Sequence, residues 1–470
     1  MNGSATMSTA DFGTKHVARG IGRLTPFVLA RGEGSYVYDE EDNKMLDLTT
    51  GIGVVNLGHC HPAVTKAAQE QVGKMVHAQV NIGFNKAYVD FVRALLPKLP
   101  DPSLDTVFLW NSGGEAVEAS IKLARMATKK QNVIVMQGFV PRADLWHHVA
   151  HAIKDGVHGG LWSPHVWCLH DGLSLLLAAR PPRRHTEETL VASSLHQLNL
   201  VLAQQSAPKD TAAILIETVV GEGGYVPAPP AFLHGLRSIC DKHGILLICD
   251  EVQSGCGRTG KMWAVEHSGV RPDVLIFAKG IANGFPLSGI ASRKELMDLQ
   301  PPGSMGGTYS GNAVACAAAS AVLKTFDEER ILDNVAKRHE QLVGFLKSIQ
   351  KSGTKAGNLI QDIRGQGLMI GLQFVHPKTK AAITVNAGSQ NATVAEDPWL
   401  YGLAPSRLRQ RLSRAASSEA CFSSARAGES CFCILLVSFC GPLADVSLTL
   451  LFQLRRHSLH SSAQHHREGA

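Results

Sequence analysis

No apolar run in the 470 residues is long enough to span a membrane, and CFCILLVSF, from Cys431 to Phe439, falls far short of that length. Basic runs interleaved with aromatics are also missing, and a formal charge of +6 is mild for this length. Neither a membrane nor a nucleic acid is therefore expected as a partner. The first residues, MNGSATMSTADFGTKHVARGIGRL, lack the apolar core of a secretory signal. They contain Ser and Thr, few acids and scattered Lys and Arg, so a mitochondrial import segment stays open beside the expected cytoplasmic location. The ten cysteines include a bunch at Cys421, Cys431, Cys433 and Cys440, but no spacing makes a zinc ribbon. A chain this large does not need disulfides, so free thiols and no metal are expected.

What the sequence does hold is core. With 44% hydrophobic residues it can bury one large domain and a smaller one. Short apolar or β-branched runs recur at Asn132 (NVIVM), Ala212 (AAILIETV), Ile245 (ILLICDEV) and Asp273 (DVLIFAKG). Helix-like segments separate them, among them EAVEASIKLARMATKK from Glu115 and PAFLHGLRSICDKHG from Pro230. Strands that are apolar throughout and alternate with helices predict an α/β fold with a mainly parallel sheet covered on both faces.

In such sheets ligand chemistry collects at the carboxyl ends of the strands. Glu217, Asp250 and Lys279 stand at three of those ends. As bare residue types, a carboxylate beside a lysine serves equally well as a structural ion pair. NSGG, from Asn111 to Gly114, reads by itself more readily as a tight turn with a helix cap than as a binding motif.

The text around these residues is more specific. CDEVQSGCGRTGKMWAVEHSGVRPDVLIFAKGIANGFPLSG resembles the signature of the class III pyridoxal-phosphate aminotransferases, the group of the 4-aminobutyrate, acetylornithine and ornithine aminotransferases. TPFVLARGEGSYVYDEEDNKMLDLTTGIGVVNLGHCHPAV, NSGGEAVEASIKLAR, GEGGYVPAP and GGTYSGNAVACAAA extend the resemblance over most of residues 20 to 138 and about 190 to 376. It implies the type I pyridoxal-phosphate transferase fold, with a large α/β domain, a smaller α+β domain built from both chain ends, and an obligate homodimer. The expected divisions are 1–55 for the N-terminal part of the small domain, 56–325 for the large cofactor-binding domain, 326–385 for a truncated C-terminal part of the small domain, and 386–470 for a divergent, poorly ordered tail.

The resemblance also implies roles. Lys279 is the Schiff-base lysine, which holds pyridoxal 5'-phosphate and moves a proton during the reaction. Burial lowers a lysine pKa and makes the neutral amine available. Asp250 faces the pyridine nitrogen, Val252 packs on one ring face and Gln253 binds the phenolic oxygen. Ser112, Gly113 and Gly114 form a phosphate cup at a helix N-terminus, Glu217 belongs to the cofactor-binding set, and Thr308 reaches the phosphate of the neighbouring subunit. The implied reaction moves an amino group from an ω-amino acid of the 4-aminobutyrate type to a 2-oxo acid, with an acetylornithine- or ornithine-type donor as the alternative.

Two stretches depart from the family. After NVIVMQG the family continues with text like SYHGRTFGTM, whereas this chain has FVPRADLWHHVAHAIKDGVHGG. Codons exist for Phe139 to His148 that, read one nucleotide later, spell the family text, including the demanding single codon of Trp146. The segment from Phe139 to a point before Gln197, with 139–190 as its centre, therefore reads as an out-of-frame translation. His147 and His151 have helical metal-ligand spacing, but no acidic residue stands between them as in H-E-x-x-H, and shifted codons produce such histidines by chance. Beyond IRGQGLMIGLQFVHPKTK, which contains Arg364, the family's closing carboxylate-binding arginine is missing. A chain that binds cofactor or a dimer partner without turnover is the expectation that competes with a working enzyme.

Overall fold

The computed structural model describes residues 7–18, 20, 21, 23, 25, 27–136, 166–169, 186–221, 223–375, 436–438, 447–449 and 451–453. The expected out-of-frame segment, with His147 and His151, lies outside the described residues apart from strand 166–169 and the start of the helix at Glu187.

In chain order the main elements are β1 (Leu29–Glu33), β2 (Tyr36–Asp39), β3 (Lys44–Asp47), α1 (Pro62–Val72), α2 (Lys86–Leu95), β4 (Thr106–Trp110), α3 (Gly113–Thr128), β5 (Asn132–Met136), β6 (Val166–Leu169), α4 (Glu187–Gln204), β7 (Thr211–Glu217), α5 (Pro230–His243), β8 (Leu246–Asp250), β9 (Val274–Phe277), β10 (Ser288–Ser292), α6 (Ala313–Glu328), α7 (Ile331–Lys351), β11 (Ile360–Gln366) and β12 (Met369–Phe374). A seven-stranded sheet runs in the order β4, β10, β9, β8, β7, β5, β6. Strand β10 is antiparallel to both β9 and β4, and every other pair in the sheet is parallel.

Alternation along the strands explains why both faces are covered. Ile134, Ile214, Ile216, Leu247, Cys249, Leu275 and Phe277 join one apolar cluster with Phe232 and Leu236 of α5 and Ala315 and Ala319 of α6. Their neighbours Val133, Val135, Ala213, Leu215, Ile248 and Ile276 join the opposite cluster with Ala116, Ile121 and Leu123 of α3. Each such fully buried Val, Leu or Ile contributes roughly 1.5–3 kcal/mol, so burial on both faces fixes the sheet strongly. This matches the expected α/β class and the four strands read from the sequence. Strands β4, β6 and β10 were not anticipated: β6 lies in the segment read as out of frame, and SGIAS of β10 is short, rich in small residues and carries no run that marks it as a strand.

A separate cluster joins Leu48, from the N-terminal part, to Leu346 of α7, Ile360 of β11, and Ile370 and Leu372 of β12. Strands β11 and β12 form an antiparallel hairpin. Within 386–470 three short strands are described, and Leu451–Gln453 pairs antiparallel with β3.

Candidate active site

The parallel strands deliver their carboxyl ends to one edge of the sheet. There Asp250, the last residue of β8, is in register with Glu217 at the end of β7 and with Ile276 of β9. The chain leaves β9 through Ala278 and turns sharply at Lys279, which begins a short 3₁₀ turn, Lys279–Ala282. Lys279 has φ of 48°, a left-handed backbone that a non-glycine residue adopts only under strain. Burial pushes the Asp250 carboxyl above its ordinary value, against the Val252 amide and the charge of Lys279, which both pull it down. Asp250 and Lys279 are thus brought together, with burial outweighing the pull of that lysine on the carboxyl.

The first turn of α3 faces this pair. Ser112 is its N-cap, in a reciprocal box in which Ser112 Oγ accepts from the Glu115 amide at 3.3 Å and the Ser112 amide donates to Glu115 Oε2 at 2.7 Å. The Asn111 amide donates to the same carboxylate at 3.1 Å. Glu115 therefore satisfies the entry to the helix, while Gly113 and Gly114 hold first-turn amides that by position have no intrahelical acceptor. A Cβ on Gly113 would lie 3.0 Å from Val252 Cγ1 and 3.8 Å from the Ala278 methyl. The absence of that carbon lets the helix end come down onto Val252 and the approach to Lys279.

Gln253 carries a buried Oε1 with no hydrogen-bond partner, which costs free energy unless something else supplies one. It lies against Gly221, whose amide donates to Glu217 Oε2 at 2.7 Å, so Glu217 and Gln253 converge on the turn after β7. Thr308 sits elsewhere, exposed on the loop before α6. That loop is held by Ser310, whose hydroxyl donates to the Leu109 carbonyl, and by Trp110, which packs on Gly307. Of the nine residues picked from the sequence, eight gather at the sheet edge and the exposed Thr308 stands apart, on the loop that packs against β4.

Sequence reasoning missed Glu251. It is fully buried and accepts from Thr218 Oγ1 at 2.7 Å, Ser254 Oγ at 2.6 Å, and the amides of Ala264 and Val265 at 2.9 and 2.8 Å. Burial raises its pKa, and these hydrogen bonds oppose that rise. Successive residues at the strand end thus point in different directions, Asp250 to the site and Glu251 into the scaffold that carries Val252 and Gln253. Two adjacent acids after an apolar run were the only signal, and it did not say which one would be structural.

The family model Aminotransferase class-III matches residues 17–395. The chain belongs to the class III aminotransferases. Among curated relatives of this family, 5-aminovalerate aminotransferase DavT of Pseudomonas aeruginosa is 38% identical over 360 residues, 76% of this chain and 81% of that protein. 4-Aminobutyrate aminotransferase GabT of Escherichia coli is 37% identical over 380 residues, 78% and 84% of the two chains. Acetylornithine aminotransferase of Methanopyrus kandleri is 37% identical over 352 residues, 74% and 81%. Of solved structures, an (S)-enantioselective omega-transaminase from Thermomicrobium roseum superposes with a TM-score of 0.69 at 29% identity, covering 81% of this chain and 87% of that one. Taurine:2-oxoglutarate aminotransferase from Bifidobacterium kashiwanohense, solved with PLP and glutamate, gives 0.70 at 26% identity over 82% and 86%. Class III membership carries aminotransferase activity and implies pyridoxal phosphate as its cofactor. Among the described residues, no helix is long and apolar enough to cross a membrane, and no group of three His, Cys, Asp or Glu is arranged to hold a metal.

Proposed function

We propose that this class III aminotransferase moves the amino group of an ω-amino acid of the 4-aminobutyrate type to a 2-oxo acid, using pyridoxal phosphate held at the sheet edge. The observation that carries this reading is the pairing of Lys279 with Asp250, whose carboxyl stays raised against the attraction of that lysine, at the ends of adjacent strands. Such a carboxyl fits a protonated ring nitrogen, which would bring a further positive charge to it. The orphaned Gln253 Oε1 and the unshared first-turn amides of α3 fit a polar ring substituent and a phosphate in the same way.

When bound, the cofactor supplies an aldehyde for amine capture and a ring that accepts electrons from the substrate carbon. The protein's own residues do the rest. Lys279 Nζ would hold the aldehyde carbon, yield it to the incoming amine, and then carry the proton between substrate and cofactor carbons. Asp250, kept ionised by the charge it faces, would keep the ring nitrogen protonated. Val252 would press on one ring face, and Gln253 would orient the phenolic oxygen. The amides of Gly113 and Gly114 with Ser112 would bind the phosphate, and Glu217 would border the ring from β7. Thr308, exposed in one subunit, would complete the phosphate site of a second copy.

The choice of donor is supported by relatives that act on 5-aminovalerate and 4-aminobutyrate, while the acetylornithine relative of similar identity keeps an acetylornithine-type donor as the second reading. The test incubates the PLP-loaded protein with 2-oxoglutarate and, in parallel, 4-aminobutyrate, 5-aminovalerate or N-acetylornithine, and measures glutamate. Glutamate from the first two and loss of about 10²–10⁴-fold in kcat on Lys279→Ala are expected. A cofactor absorption band with no glutamate from any donor overturns the proposal in favour of a chain that binds without turnover.

A further inference from the structure

The turn that presents Lys279 is left-handed at both ends, and the lysine end is the strained one. Lys279 has φ of 48° and Asn283, its C-cap, has φ of 47°. Nothing within so short a turn can enforce this, because a 3₁₀ turn makes few bonds of its own. The enforcement comes from two distant parts of the chain. Asn283 acts as a fork: its Oδ1 accepts from the Leu57 amide at 2.8 Å, and its Nδ2 donates to the Gly58 carbonyl at 2.9 Å. The residue before this pair, Asn56, lies directly on Gly280, where a Cβ would collide with the Asn56 amide. Asn56 Nδ2 donates to the Cys256 carbonyl at 2.7 Å, and its Oδ1 accepts from the Arg258 guanidinium.

Arg258 is the unusual member. It is only 6% exposed, its Nε has no partner, and among the described residues no carboxylate pairs with it. Burying an uncompensated charge is costly. Burial lowers the guanidinium pKa to about 10, with Tyr225 and Cys256 opposing. Its own carbonyl accepts from the Leu368 amide at 2.9 Å, which fastens the β11–β12 turn to the same point. A charge kept here at such cost, donating to an amide oxygen that rests against the residue after Lys279, has a geometric use.

We infer that Asn56, Arg258 and Asn283 form a clamp that holds the Lys279 turn in its left-handed conformation, and that they are positioning residues for the reactive lysine. The inference deepens the proposed function and rests on Lys279 being the residue that holds the cofactor. Residues 56–58 press on the turn from one side and Arg258 locks Asn56 in place from the other. Releasing the clamp lets Lys279 relax toward an ordinary right-handed backbone, which swings Nζ away from Asp250.

The test uses the full-length protein with Asn283→Gly, which removes both side-chain bonds but keeps the backbone conformation accessible, and with Asn56→Ala. Asn56→Ser is the milder second choice where Asn56→Ala does not fold. Amide hydrogen exchange over 278–283 is expected to accelerate by about tenfold or more without a matching change in β7 or β8. In the PLP-loaded protein, the pH midpoint of the lysine-bound absorption band should move by about half a unit or more. The fall in kcat should be about 10- to 100-fold, since small misplacements of a reacting group are costly, while KM for 4-aminobutyrate stays within about twofold. Asn283→Asp, which keeps the acceptor for the Leu57 amide, should recover part of kcat. Variants that melt earlier but leave turn exchange, the pH midpoint and kcat unchanged overturn the clamp. Borohydride reduction followed by peptide mass mapping separates this from failure of the proposed function. If no cofactor is trapped on Lys279 in the unmodified protein, the function reading falls, and the exchange result alone then decides the clamp.

Discussion

Glu118, on α3, has a buried Oε1 with no partner, and burial pushes its carboxyl up from an ordinary 4.5 to about 7 against the attraction of Arg125. Between those values the folded chain holds a proton that the unfolded chain has lost. The stability contributed by this group is therefore complete below pH 4.5 and is lost as the pH rises through 7. Thermal melts should show the unmodified protein losing Tm relative to Glu118→Gln between pH 5 and pH 8, with the difference vanishing near pH 4. Equal Tm differences at all three values would show that this carboxyl does not titrate there. At this scale the sequence was partly legible: Lys279 and Asp250 stood out because polar residues at the ends of apolar strands need a reason. Glu118, Asn56 and Asn283 did not stand out, because an acid on a helix and amides in loops are ordinary until their surroundings are known.

At the scale of elements, strand β8 and the turn after it set the site. The apolar run Leu246–Cys249 fixes the strand between β7 and β9 by burial on both faces. Glu251 then ties together the turn after β7, through Thr218, its own turn through Ser254, and the short helix Ala264–His267 through two amides. Glu251→Gln turns one acceptor oxygen into a donor facing donors. It should cost about 2–4 kcal/mol in urea unfolding, because bonds to a buried charged group are lost while their donors stay desolvated. A loss below about half a kcal/mol would mean that the turns are held by packing alone. Parallel strands β5, β7, β8 and β9 and helices α3 and α5 were legible from their apolar, β-branched runs and the helix-like segments between them, whereas β6 fell in the segment read as out of frame. Strand β10 was not, because its five residues are fixed by neighbours on both sides and not by a pattern of their own.

At the scale of the whole molecule, large apolar side chains stand exposed on the loop of Thr308 and on the loop joined to it. Ile82 and Phe84 are 84% and 93% exposed, and Tyr309 is 67% exposed. Their loops are joined by Asn312 Nδ2, which donates to the Val76 carbonyl at 3.1 Å, and by the His77 and Tyr309 rings, 5.5 Å apart. We propose that these exposed side chains belong to an association surface whose occupant is a second copy. Light scattering should report a dimer for the unmodified chain and a monomer for the Ile82→Glu, Phe84→Glu variant. If Thr308 serves the neighbouring site, inactive Lys279→Ala and weakened Thr308→Ala chains, unfolded and refolded together, should regain activity through mixed dimers that contain one complete site. No gain on mixing would place Thr308 outside the partner's site. We also propose that 56–325 forms the large unit and that 1–55 and 326–385 share the smaller one, in keeping with the apolar cluster that joins Leu48 to Leu346 and Leu372. By itself the sequence determined the fold class, because alternation of apolar strands with helices is a local pattern, and its resemblance to the class III aminotransferases implied the chemistry, because those motifs are also written in consecutive residues. Only the tertiary structure decided that Glu251 is scaffold while Asp250 faces the site, and that Asn56, Arg258 and Asn283 meet at the Lys279 turn. Those assignments depend on contacts between residues far apart in the chain, and no local pattern encodes them.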